Sequence, residues 1–115
     1  MLTLKKLKEF GADTENGLTR CMNNEAFYLR LIEKSLSDVT YEKLEEAVAA
    51  GDLKAAFEAA HGLKGVTANL ALTPIHTPVA EMTELLRAGT MADYAPYLQT
   101  IREKREALKL LCEAD

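Results

Sequence analysis

The apolar residues of this chain recur at the spacing of an α-helix in one segment after another, and this spacing constrains the fold most strongly. No segment alternates apolar and polar residues as a half-buried strand would. Glycine and proline stand alone between the segments, where they end one helix or precede the next. The sequence therefore predicts an all-α fold, and a length of 115 residues predicts a single domain spanning residues 1–115.

Capping residues and glycines set the expected ends of the helices. The predicted helical segments are 2–10, 13–17, 25–36, 40–51, 53–70, 73–89 and 92–112. Asp13, Asn24, Thr40, Asp52 and Thr73 are the expected caps, because a short polar side chain can accept a hydrogen bond from a free amide of the first turn. These segments predict an antiparallel four-helix bundle with short N-terminal helical elements.

Prolines constrain the last two of these helices. Pro78 has no amide to donate to the carbonyl of Pro74, so we expect an irregular or kinked first turn in segment 73–89. Pro96 fits the last helix only if it lies in the first turn, where its missing amide costs nothing.

The segment 53–70 has one face that should be buried and one that should not. Its apolar stripe consists of Leu53, Ala56, Phe57, Ala60, Leu63, Thr67 and Leu70. His61 lies well away from the centre of this stripe, and Lys64, Gly65 and Ala68 follow it at the spacings that share one side of a helix. We therefore expect these four residues to form an exposed strip.

The strip has the residue types that suit a phosphoryl acceptor. Neutral imidazole is nucleophilic near physiological pH, and the ammonium of Lys64 offers three donors to a phosphoryl group one turn from His61. Gly65 costs about 1 kcal/mol relative to alanine in a helix interior, which open access to the imidazole would explain. A lone exposed histidine beside a lysine is nevertheless most often a solvated surface residue, so these features alone leave the function open.

The run from Ala60 to Leu70, AHGLKGVTANL, resembles the signature of the histidine-containing phosphotransfer (Hpt) domain family, A-H-x-L-K-G followed by small residues, Asn and Leu. The resemblance covers residues 25–89, with Gly51 and Asp52 before the helix as in this family. Two positions depart from the pattern. Gly62 stands where a larger residue is common, and Ala71 stands where the family usually has glycine, so the local geometry at both positions is in question.

This resemblance implies a carrier that accepts a phosphoryl group on His61 from a receiver-domain aspartate and passes it to another receiver. It implies that Lys64 stabilises the phosphoryl group and that Gly65 and Ala68 contact the receiver. The expected partners are response-regulator receiver domains, with a hybrid histidine kinase as a further candidate. The receiver would supply the divalent metal, so we expect no metal site, no cofactor and no catalytic residue in this chain, and no enzyme activity of its own.

Three alternatives compete with this interpretation. A helical adaptor would bind signalling partners through the same strip without being phosphorylated. An enzyme would use His61 as a general base, although the strip offers no carboxylate to orient it. Finally, His76 is a rival nucleophile, but it lies between two prolines and lacks the Lys-Gly pattern.

Composition limits the partners and the setting. A net charge of −4 argues against a nucleic-acid binder, which needs a concentrated basic face. No apolar run approaches the length of a membrane span, and we do not expect the N-terminal segment to be a signal peptide because charges interrupt it. Cys21 and Cys112 have no metal-type spacing with either histidine. We therefore expect reduced cysteines in a cytoplasmic monomer that binds neither nucleic acid nor membrane.

Overall fold

Seven α-helices build the fold in the computed structural model, which describes residues 1–114. They are α1 (Leu4–Phe10), α2 (Thr14–Arg20), α3 (Glu25–Ser35), α4 (Thr40–Ala49), α5 (Leu53–Asn69), α6 (Thr73–Arg87) and α7 (Ala95–Glu113). No strand occurs in this part of the chain. The prediction of an all-α helical bundle with short N-terminal helices is confirmed.

Three of the predicted caps begin their helices in the expected way. The side chains of Asp13, Asn24 and Asp52 each accept a hydrogen bond from the backbone amide three residues further on. Each bond satisfies one of the amides that the first helical turn leaves without a carbonyl partner. The beginnings of α2, α3 and α5 are therefore encoded locally.

The prediction that Thr40 and Thr73 are caps is wrong, because both are the first residues of their helices. The Asp38 carboxylate accepts hydrogen bonds from the amide and the hydroxyl of Thr40, so a side chain two residues earlier satisfies this first-turn amide. In α6 the carbonyl of Leu72 accepts from the amides of Ile75 and His76, so helical bonding starts one residue before Thr73.

The two prolines have different outcomes. Pro96 lies in the first turn of α7, as predicted, although that helix begins at Ala95 instead of near residue 92. Pro78 is buried inside α6, which continues as one helix to Arg87, so the expected irregularity does not interrupt the helix.

The core lies between α5 and its neighbours. α5 packs against α4 and α6, and α6 packs in turn against α7. Since only residues 70–72 connect α5 to α6, the two packed helices run in opposite directions. The predicted stripe of α5 faces this core, with Ala56, Ala60 and Leu63 fully buried. The opposite side of α5 is therefore left for solvent.

The turn from α5 to α6 explains one departure from the Hpt signature. Ala71 has a φ of 54°, in the left-handed region that glycine adopts more easily. The α2 and α3 helices anchor the turn, because the Tyr28 hydroxyl donates to the Leu70 carbonyl at 2.8 Å and the Asp13 amide donates to the Ala71 carbonyl at 3.0 Å. The chain thus accepts an alanine where a glycine would be less strained.

Candidate functional site

His61 projects from the solvent side of α5. The residues before and two after it, Ala60 and Leu63, are fully buried, whereas His61 and Gly62 are exposed. The periodicity of α5 produces this arrangement, since a buried stripe on one side leaves the positions between its members outside. The imidazole is therefore accessible to a partner.

The surface next to His61 is open at two glycines. A Cβ atom built on Gly65 meets no heavy atom within 4 Å, and the same holds for Gly62. Neither glycine is therefore required by close packing within the described chain, and neither has a positive φ. This pattern fits a surface that has to leave room for something outside the chain.

Phe57, one turn before His61, holds the imidazole against the helix. The two rings are stacked with centroids 5.6 Å apart and planes inclined by 19°. The guanidinium carbon of Arg87, from α6, lies 5.1 Å from the centroid of the Phe57 ring. Aromatic contacts of this kind restrict the orientations that a surface histidine can adopt.

Lys64 pairs with a carboxylate from α6. Its Nζ lies 3.4 Å from Oε1 of Glu84, and Oε2 of Glu84 lies 3.3 Å from Nε of Arg87. The hydrogen bond from Lys64 and the charge of Arg87 lower the pKa of the Glu84 carboxyl. The Glu84 carboxylate thus lies between two cations. One is Lys64, one turn after His61 on α5, and the other is Arg87, whose guanidinium contacts the Phe57 ring.

His76 lies in a different environment from His61. It is half-buried, and its Nδ1 lies 3.0 Å from the Thr67 hydroxyl. That hydroxyl also lies 2.8 Å from the Leu63 carbonyl, to which it can donate its proton. Nδ1 of His76 then acts as the donor, so this nitrogen is engaged within the fold.

Ala68 is half-buried and lines the cleft that contains His76 and Arg20. It therefore lies at the edge of the His61 strip instead of standing fully exposed within it. A second, more apolar groove lies between α3 and α5 and is lined in part by Leu31, Val66 and Leu70. Sequence reasoning did not identify this groove, because it depends on how α3 packs beside α5.

Residues 1–114 contain neither a cluster suited to a metal ion nor a helix suited to a membrane. No group of three or more His, Cys, Asp or Glu side chains comes together there in a way that could hold a metal ion. Within the same residues, every helix is too short or too polar to cross a membrane.

The family comparison agrees with the geometry of α5. Residues 29–114 match the family model described as Hpt domain, and this range includes α4 to α7 and the whole His61 strip. The chain belongs to the Hpt domain family. No curated protein and no solved structure matches this chain.

Hpt domains are phosphocarrier modules of two-component relays, and they interact with receiver domains and histidine kinases. In this Hpt domain the helix brings His61, Lys64 and Gly65 to one surface, whereas Ala68 lies partly inside its edge. Sequence reasoning missed Glu84 and Arg87, since both come from α6. The sequence predicts Phe57 in the buried stripe, and its spacing of four residues from His61 is the signal that indicates the ring contact.

Proposed function

We propose that this Hpt domain carries a phosphoryl group on His61, accepting it from the aspartyl phosphate of one receiver domain and passing it to the aspartate of another. The observation that carries the proposal is the exposure of His61 beside Gly65, where a side chain would meet nothing in the described chain. A histidine that contacted only residues of its own domain would not need this open space beside it.

The transfer balances without any further reactant. A lone pair on a neutral ring nitrogen of His61 attacks phosphorus, and the N–P bond forms as the O–P bond of the receiver's aspartyl phosphate breaks. The aspartate carboxylate leaves with the bonding electron pair. The proton on the other ring nitrogen stays there or passes to water, and the second transfer reverses these steps on a new aspartate.

Lys64 and Gly65 have separate tasks in this proposal. Lys64, on the next turn of α5, supplies a positive charge to the phosphoryl oxygens, where charge develops during transfer. Gly65, together with Ala68 at the edge of the strip, gives the receiver space to approach His61. The receiver brings its own acidic pocket and divalent metal, so the Hpt domain acts as a carrier and not as an enzyme.

The placement of His76 supports His61 as the acceptor. The Nδ1 atom of His76 is engaged with Thr67, and the side chain is half-buried.

The test is incubation of the purified chain with a panel of receiver domains phosphorylated by acetyl phosphate. A carrier acquires phosphoryl from at least one receiver and returns it to unphosphorylated receiver added afterwards. An adaptor binds a receiver but acquires no phosphoryl group. Binding without transfer across the panel would therefore replace the carrier by the adaptor.

A further inference from the structure

We infer that Glu84 is a positioning residue that competes with the phosphoryl group for Lys64, and thereby limits how much phosphoryl His61 retains at equilibrium. This inference rests on the proposed function and concerns the regulation of the same site. The carboxylate occupies Lys64 while His61 is free, and Lys64 must leave it to reach a phosphoryl oxygen.

The contacts of Glu84 support this role. One of its carboxylate oxygens meets Lys64 and the other meets Arg87, which holds the carboxylate from within α6. The Lys64 side chain is 35% exposed and that of Glu84 59% exposed, so both can exchange partners without disturbing the core. The structure offers Lys64 this one salt-bridge partner among residues 1–114.

The charges explain why the pair should separate. A phosphoryl group adds up to about two negative charges and three strong acceptor oxygens beside Lys64. It offers the ammonium a stronger partner than one carboxylate, so Lys64 exchanges Glu84 for the phosphoryl group and Glu84 keeps only Arg87. Forming phosphohistidine therefore breaks the Lys64–Glu84 ion pair. The loss of this pair shifts the transfer equilibrium toward return of the phosphoryl group to a receiver.

The expected change in the transfer equilibrium constant is small, as a reversible carrier requires. An exposed ion pair changes an equilibrium constant by about two- to fivefold, which is small against transfer itself. Such a change is nevertheless meaningful for a module that must both accept and release its cargo, because a carrier that retained phosphoryl strongly would not pass it on.

The experiment compares wild type with Glu84→Gln, which keeps the shape of the side chain and removes its charge. Each protein is mixed with a phosphorylated receiver that labels wild type, and the equilibrium ratio of phosphorylated Hpt domain to phosphorylated receiver is measured. Glu84→Gln should raise the equilibrium constant toward phosphorylated His61 by about two- to fivefold. The matched control is Glu81→Gln, which removes the same charge from an exposed residue one turn earlier on α6.

A double-mutant cycle distinguishes competition for Lys64 from a general change in charge. In a Lys64→Met background, the substitution Glu84→Gln should change the equilibrium constant much less, since the ammonium for which Glu84 competes is absent. Equal effects of Glu84→Gln in both backgrounds, or equal effects of Glu84→Gln and Glu81→Gln, would overturn the inference. Thermal unfolding of each variant separates these outcomes from loss of fold.

Failure of the proposed function would have a different signature, namely that wild type accepts phosphoryl from no receiver. In that case the same variants are phosphorylated directly with phosphoramidate, in which a P–N bond to ammonia is exchanged for a P–N bond to imidazole. The second proton of the phosphoryl group is then titrated by ³¹P nuclear magnetic resonance. A lower midpoint pH in Glu84→Gln than in wild type, with a much smaller difference in the Lys64→Met background, supports competition for Lys64, and equal midpoints or equal differences in both backgrounds overturn it.

Discussion

The imidazole of His61 stacks on the ring of Phe57, with 5.6 Å between the centroids, so the proposed acceptor is held by a residue of the core-facing stripe. Phe57 is itself half-buried and packs against the hydrophobic core. The core and the exposed strip of α5 are therefore connected at this pair, and the orientation of the imidazole depends on packing beneath it.

Replacing Phe57 by leucine should slow phosphoryl transfer to His61 by about two- to tenfold, the range expected from losing an aromatic pair. Leucine still fills apolar space but does not stack, so the imidazole samples more orientations. The rate of labelling by a phosphorylated receiver measures this effect. Phe57→Tyr retains the ring and is the control, and equal rates for Phe57→Leu and wild type would show that the stack does not orient His61.

Gly65→Leu should fold and should be more stable than wild type by about 1 kcal/mol, because leucine favours helix and a Cβ at this position meets no neighbour. The same side chain should obstruct a receiver and slow transfer strongly. Urea unfolding and transfer rates together check the prediction. Gly62→Leu gives the same gain in helix propensity one residue from His61, and a comparable loss of transfer there would remove any special role for Gly65.

Tyr28 and Tyr41 are both buried, but removing their hydroxyl groups should affect the free energy of unfolding differently. The Tyr28 hydroxyl donates to the Leu70 carbonyl, whereas the Tyr41 hydroxyl has no hydrogen-bond partner within residues 1–114. Tyr28→Phe should therefore lower the free energy of unfolding by about 1 kcal/mol. Tyr41→Phe should leave it unchanged or raise it, since phenylalanine keeps the ring beneath Arg105. Urea unfolding at neutral pH decides between these outcomes.

The same tyrosines predict a loss of stability in alkali. Burial raises the pKa of Tyr28 to about 12 and the pKa of Tyr41 to about 12. The unfolded chain releases these protons near pH 10, whereas the folded chain retains them, so stability is fully present below about pH 10 and is lost as the pH rises toward 12. Unfolding free energies measured between about pH 8 and pH 11 should fall less in Tyr41→Phe than in wild type. Parallel curves for the two proteins would contradict this assignment.

The sequence predicts those parts of the site that depend on one helix. The spacing of apolar residues in α5 is enough to distinguish the buried Ala60 and Leu63 from the exposed His61. The cap of this helix is also local, because the Asp52 side chain accepts a hydrogen bond from the Ala55 amide. The predicted caps at Thr40 and Thr73 are wrong for two reasons: the Asp38 carboxylate accepts the Thr40 amide, and the Leu72 carbonyl already accepts the amides of Ile75 and His76.

The contacts of Lys64 could not be predicted in the same way. Glu84 is twenty residues further along the chain and reaches Lys64 because α6 packs against α5 after the turn at residues 70–72. The left-handed conformation of Ala71 is likewise a property of that turn, and an alanine gives no local sign of it. The sequence therefore predicts the proposed acceptor, His61, whereas the contacts around it depend on the packing of α6 against α5.

The most direct measurement of the central claim is the identity of the phosphorylated residue. Wild type and single variants, His61→Gln and His76→Gln, are incubated with a phosphorylated receiver that labels wild type. The label in wild type and in His76→Gln should be lost in acid and survive mild base, as expected of a phosphoramidate, and His61→Gln should acquire none while keeping its helical circular dichroism spectrum. Acid-labile label on a folded His61→Gln variant would contradict the assignment of His61 as the acceptor.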